Sequence, residues 1–140
     1  MSDPIGAVVM ILAGSAAVSD LAGTDIYGGE LPAEAVARLP KGMVVVQASG
    51  GVSLTQGSYA DHDTQRIDVT CYGKTPREAE MLRKAAEKIL RQIRRQAVAG
   101  TLIHWIDSAG GSMAGRERDG SWPTAFQSFQ VFHCLEEIEP

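Results

Sequence analysis

The chain has 140 residues, of which 44% are hydrophobic and 21% charged, with a formal net charge of -4. That is the length of one domain, enough to bury a core without disulfide or metal staples, and the composition is that of an ordinary globular protein. The acidic balance excludes nucleic-acid binding by the surface as a whole, which requires cations to neutralise phosphates.

Asp3-Pro4 reads as a helix start, with Asp as N-cap and proline at the first helical position, where a missing N–H costs nothing. Ile5, Val8, Val9 and Leu12 mark its apolar face, continued by Ala16 and Leu21, and Gly23 is a suitable C-cap. Gly6 and Gly14 weaken this helix, so packing must hold it. The long apolar run from Ile5 to Val18 is too short to span a bilayer. No basic residue precedes it, as a secretion signal would require, so the expectation is a cytoplasmic product without a membrane partner.

Asp25 to Gly29 predicts a short strand ending in a turn, and Pro32 to Leu39 one or two helical turns bounded by Pro32 and Pro40. The β-branched run Met43 to Val46 predicts a strand covered on both faces. Ala48 to Gln65 lacks sustained periodicity and is expected to form a protruding hairpin or flap; connections of that length are often functional.

Gln65 to Gln96 carries the strongest pattern. Ile67, Val69 and Cys71 alternate with Arg66, Asp68, Thr70 and Tyr72, which predicts a strand near the centre of a sheet. Gly73-Lys74 makes a turn, Thr75 is an N-cap, Pro76 opens the helix and Glu78 completes a Thr-x-x-Glu capping box. Leu82, Ala86, Ile89, Ile93 and Ala97 then form one stripe, which predicts a helix of about five or six turns. Arg77, Lys84, Lys88, Arg91 and Arg95 lie on its opposite side.

Gly100 breaks the pattern. Thr101 to Asp107 predicts a strand, Ser108 to Ser121 a glycine-rich hairpin connection or loop, and Phe126 to Leu135 the last strand, followed by an acidic tail with Glu136, Glu137 and Glu139. Residues 1–140 therefore read as a single α+β domain: a mostly antiparallel sheet with an N-terminal helix and a long central amphipathic helix packed on one face.

Catalytic signatures are absent from the sequence: no phosphate-binding loop, dinucleotide fingerprint, nucleophile elbow or zinc-helix motif occurs. Asp61-His62-Asp63 reads as a solvated loop, because neighbours in an extended segment point to opposite faces. His104 and His133 fall in strands without a nearby nucleophile. Cys71 and Cys134 sit in strand-like runs and read as reduced thiols, and no Cys/His spacing suits a zinc ion. The chain is therefore expected to be no enzyme and to hold no cofactor or metal.

The basic helix face admits two accounts. One is a solvated surface, stabilised by Glu78 and Glu80 at the helix start and Arg94 and Arg95 at its end. The other is a docking face for an acidic protein surface, such as a neighbouring copy's tail at Glu136, Glu137 and Glu139.

Taken in order, four stretches resemble the tail terminator (tail completion) proteins of long-tailed bacteriophages and gene transfer agents. They are D-P-I-G-A-V-V-M-I-L-A-G-S-A-A-V-S-D-L-A-G-T-D-I-Y, L-P-K-G-M-V-V-V-Q-A-S-G-G, Q-R-I-D-V-T-C-Y-G-K-T-P-R-E-A-E-M-L-R-K-A-A-E-K-I-L and F-Q-S-F-Q-V-F-H-C-L-E-E, together covering most of the length. The glycine-rich stretch from Ser108 to Ser121 is not part of that likeness. The resemblance implies a virion structural protein, formed in the host cytoplasm, whose copies close into a ring, usually a hexamer. Such a ring caps the tail tube, ends its polymerisation and joins the tail to head connector proteins at the head–tail junction. DNA passes through its lumen without specific binding, which suits an acidic chain because a cationic pore would retain phosphate. A head-completion or neck adaptor is the nearest alternative, and a small ligand-binding regulatory α+β domain is the alternative from another class. Tyr59, Asp61, Asp63, Arg116, Arg118 and Trp122, at loop tips, and Lys84, Lys88, Arg91 and Arg95, on the helix, are the expected contacts with tube protein or neighbouring subunits.

Overall fold

The computed structural model describes residues 3–49, 62–116 and 122–134. In chain order they form α1 (Pro4–Ala13), α2 (Ala16–Ala22), β1 (Ile26–Gly28), α3 (Ala33–Val36), β2 (Met43–Ala48), β3 (His62–Tyr72), α4 (Pro76–Leu90), β4 (Arg94–Val98), β5 (Thr101–Arg116) and β6 (Pro123–Cys134). The strands make one six-stranded sheet in the order β1-β2-β3-β6-β5-β4. β1 runs parallel to β2, and every other neighbouring pair is antiparallel. The α+β class and the mostly antiparallel sheet are as the sequence predicts.

The alternation in β3 decides where the core lies. Ile67, Val69 and Cys71 are fully or almost fully buried against Leu82, Ala86 and Leu90 of α4 and Val8 and Leu12 of α1. Val44 and Val46 of β2 join this cluster, while Met43 and Val45 point the other way, onto Tyr72 and onto Ala35 of α3. β2 is thus covered on both faces, as its unbroken apolar run requires. Each large side chain removed from water in this way contributes roughly 1.5–3 kcal/mol, which is what holds α1 despite Gly6.

Several boundaries differ from the sequence expectation. The N-terminal segment is two helices, bent by 85° at the break between α1 and α2. The amide of Gly14 closes α1 by donating to the Met10 carbonyl at 3.0 Å, the amide of Ser15 donates to that of Leu12 at 3.1 Å, and the amide of Gly23, at φ +62, closes α2. Among the described residues no single helix is long and apolar enough to cross a membrane.

The central helix stops at Leu90, and the chain turns through Arg91 to Ile93 into β4. Ile93 stays in the core, but Ala97 is an exposed strand residue, so the helical stripe ends earlier than its spacing suggests. Local periodicity loses here to pairing with β5, set by a two-residue turn at Ala99-Gly100 in which both residues have positive φ, 51° and 80°. The helix start also differs in detail: Thr75 Oγ1 accepts from the Glu78 amide at 3.2 Å, but the Glu78 carboxylate reaches back to the amide of Lys74, at 3.1 Å, not to that of Thr75. Gly73 is needed at this junction, since a Cβ there would come within 2.5 Å of the Ala79 backbone nitrogen.

The largest correction concerns the glycine-rich stretch. Residues through Arg116 continue β5, with Ser112 to Arg116 paired to Gln127 to Pro123. Ala109-Gly110-Gly111 forms a bulge between Ser108, opposite Phe129, and Ser112, opposite Gln127, with Gly110 at φ +148. β6 likewise starts at Pro123, earlier than expected. Of the acidic-histidine triplet, His62 and Asp63 belong to β3, opposite Cys134 and His133, and not to a loop.

Candidate interaction surfaces on helix α4 and the open sheet face

On α4, Ala79, Leu82, Ala86 and Leu90 face the core, and so does Arg83, which is only 7% exposed. A buried guanidinium must be fully partnered. Arg83 Nε donates to Glu80 Oε1 at 2.8 Å, and Nη1 donates to Glu87 Oε1 at 3.1 Å and to Gln127 Oε1 at 2.5 Å. Gln127 Nε2 in turn donates to Glu87 Oε2 at 3.2 Å and to Ser108 Oγ at 3.0 Å. The network ties α4 to β6 and to the edge of the β5 bulge. Its hydrogen bond with Glu80 leads in holding Arg83 above its usual range. Burial alone would raise the Glu87 carboxyl, but the bonds from Gln127 and Arg83, with the charges of Arg83 and Arg91, hold it below its ordinary value.

Those inward bonds decide what remains outside. Lys84 sits one turn after Glu80, the spacing of a helical ion pair, yet Glu80 is turned to Arg83. Lys84 and Lys88 are exposed, and no described carboxylate lies within ion-pair distance of either. Arg91 is shared between Glu87 at 3.5 Å and Asp107 at 3.6 Å. Arg94 donates to the carbonyls of Arg91 and Ile93. Arg95 has left this surface: it lies on β4 with φ 49. A shallow groove of about 430 Å³ runs between Lys84, Lys88, Arg91 and Arg94, with Glu87 and Gln92 also in its lining. Sharing Lys88 and Gln92 with it is a dimple of about 160 Å³ floored by Ala17, Ala85 and Ile89.

Trp122 lies on the opposite side of the sheet. It packs on the cluster of Met43, Val45 and Tyr72 and lines a groove of about 300 Å³ with Leu31 and Val36. The expected contact residues therefore divide between two faces. Asp63 and Arg116 fall near opposite ends of the β3–β6–β5 ladder, opposite His133 and Pro123, about 30 Å apart at ~3.3 Å per residue. Tyr59, Asp61 and Arg118 lie outside the described residues, as does most of the expected flap between Ala48 and Gln65.

The described residues contain no group of three or more His, Cys, Asp or Glu side chains placed to hold a metal ion. Cys71 and Cys134 are free thiols at opposite ends of the β3–β6 pair, opposite Ala125 and His62. Burial pushes the Cys71 thiol up to about 12.

With this geometry in view, the comparisons with known proteins separate sequence from shape. No protein-family model matches the sequence, and no curated protein matches it either. The fold is one found in a virion. A solved structure titled "Virion of native gene transfer agent (GTA) particle" contains a chain that superposes with a TM-score of 0.71 at 14% identity, over 94% of each chain. At that coverage the likeness spans both the helical layer and the sheet, so the fold is shared as a whole and not through one supersecondary unit.

The sequence missed two clusters. Arg83 was hidden among the basic residues, although its signals were present: it follows the stripe residue Leu82 and is flanked by Glu80 and Glu87 at the i−3 and i+4 positions. Asp25, read only as a strand start, is buried under Tyr27, Arg38 and Lys41. The Tyr27 hydroxyl donates to it at 2.6 Å, and Arg38 and Lys41 pair with its two oxygens. No local spacing foretells partners drawn from β1, the end of α3 and the approach to β2.

Proposed function

We propose that this protein is a structural component of a phage-like or gene transfer agent virion, and that its copies form a tail terminator ring at the head–tail junction. The observation that carries the proposal is the near-complete overlap with a chain of a gene transfer agent particle, which agrees with the order of sequence stretches resembling tail terminators. The residues support a role in assembly over catalysis. Arg83, Glu80 and Glu87 are consumed in bracing α4 against the sheet. A closed ring of one acidic chain would use two different surfaces of each copy, and the described residues include the cationic outer side of α4 and the aromatic groove at Trp122 as candidates. In this role the ring ends tube polymerisation and presents a surface to the head connector, and DNA crosses its lumen without being held.

Removal of the gene from the producing genome tests the role by particle morphology. The expected result is tails of abnormal length that carry no heads. Normal tails with leaking or empty heads identify a neck adaptor instead. Intact, fully assembled particles overturn the virion role. Binding of a metabolite by a stable dimer of the purified protein favours a regulatory domain.

A further inference from the structure

We infer that the outer groove of α4 receives the acidic C-terminal segment, Leu135 to Pro140, of a second copy of this chain; this rests on the self-assembly proposed above. Three observations converge on that partner.

The first is unsatisfied charge. Lys84 and Lys88 are separated by one helical turn, a like-charged spacing that destabilises a helix by a few tenths of a kcal/mol. The carboxylate that would relieve Lys84 is bound to Arg83. The fold therefore retains a small repulsion on this surface while satisfying every cation it buries there.

The second is chemical complementarity. The segment Leu135-Glu136-Glu137-Ile138-Glu139-Pro140 carries three carboxylates and two apolar side chains in six residues. The surface it would meet is predominantly of opposite sign: Lys84, Lys88, Arg91 and Arg94 line the groove with one acid, Glu87, which is paired to Arg83 and Arg91, and the apolar dimple of Ala85 and Ile89 lies beside Lys88. Lys84 to Arg91 covers about 10 Å of helix, and six residues extend to roughly 20 Å, so the segment is long enough to lie along the groove.

The third is direction. β4 and β6 both run antiparallel to β5 and so point the same way. Arg94 is level with Trp105 and Phe132, and Arg83 lies further back, at Gln127. The chain leaving β6 at Cys134 is therefore already past Arg94 and heading away from α4. It would have to reverse to reach its own groove. A neighbouring copy can receive it without reversal, which makes the contact head-to-tail and compatible with a ring.

Charge reversal in the full-length chain tests this. One variant carries Lys84→Glu and Lys88→Glu, a second carries Glu136→Lys, Glu137→Lys and Glu139→Lys, and a third carries all five changes. Assembled mass is read by light scattering at low salt, with circular dichroism confirming that each variant is folded. The expected result is that each of the first two alone needs at least about tenfold more protein to assemble. Their equimolar mixture, and the five-fold variant by itself, return to the wild-type range. Variants that assemble like wild type overturn the contact while leaving the ring reading intact. Rescue in the five-fold variant but not in the mixture places the segment on its own helix and overturns the contact between copies. Loss of assembly without rescue in either assigns the cations to another anion, such as DNA phosphate, and also overturns it. A wild-type chain that remains monomeric at every concentration overturns self-assembly itself, and this contact with it.

Discussion

Arg83 and Lys84 are adjacent on one helix and meet opposite fates. The guanidinium of Arg83 is buried and bonded to Glu80, Glu87 and Gln127, whereas the ammonium of Lys84 is exposed with no described carboxylate within ion-pair distance. The two positions compete for Glu80, and burial decides the outcome, because an unpartnered charge costs several kcal/mol inside and almost nothing in water. The inner side of α4 is therefore where charge serves stability, and the outer side is where charge is free for another molecule.

The comparison breaks most sharply at Arg83. Arg83→Met keeps much of the side-chain volume but leaves Glu80, Glu87 and Gln127 without their shared donor. Since both carboxylates keep some contact with water, the expected loss is about 2–3 kcal/mol, below the full cost of orphaning a buried ion. Urea unfolding measures it, and a change within about 0.5 kcal/mol would mean that the network stabilises nothing.

A second buried cluster extends the rule beyond α4. Burial by itself raises the Asp25 carboxyl, but hydrogen bonds from Lys41, Tyr27 and Arg38 outweigh it and lower the group from 3.8 to about 2. The folded state thus holds its proton less tightly than the unfolded chain. The resulting stabilisation is fully present above about pH 4 and is lost as pH falls toward 2. It amounts to about 2 kcal/mol at most, since Arg38 remains largely in water. Urea midpoints recorded from pH 5 to pH 2 are expected to fall more steeply for wild type than for Asp25→Asn. Parallel curves would remove Asp25 from the acid response.

The smallest effect concerns the dryness of the core beneath α4. With its thiol pushed up to about 12 by burial, Cys71 is expected to resist maleimide labelling in the native protein and to react only in denaturant. Rapid native labelling of Cys71 would contradict the packing of β3 against α4.

What the sequence made legible follows physical range. β3, the start of α4 and the doubly covered β2 are set by contacts within a few residues, and each was readable from alternation, capping residues or an unbroken apolar run. The end of α4 was not, because Ile93 and Ala97 continue the helical spacing while pairing with β5 and the Ala99-Gly100 turn draw the chain into β4. The same holds for residues 108–116: their glycines disfavour a strand locally, and only β6 on one side and the bulge at Gly110 make one. At the candidate site, Lys84, Lys88 and Arg91 were readable as one face, but Arg95 moved off it. That Lys84 is free could be seen only once Arg83 was found to hold Glu80.

The most direct test of this division of charge is to change Lys84→Gln and Lys88→Gln together. Thermal unfolding is followed at a concentration where the wild-type chain is monomeric, and assembled mass at one where it is not. The account predicts stability within about 0.5 kcal/mol of wild type, since only a weak repulsion is removed, together with a marked loss of assembly. A clear fall in stability with assembly unchanged would contradict it.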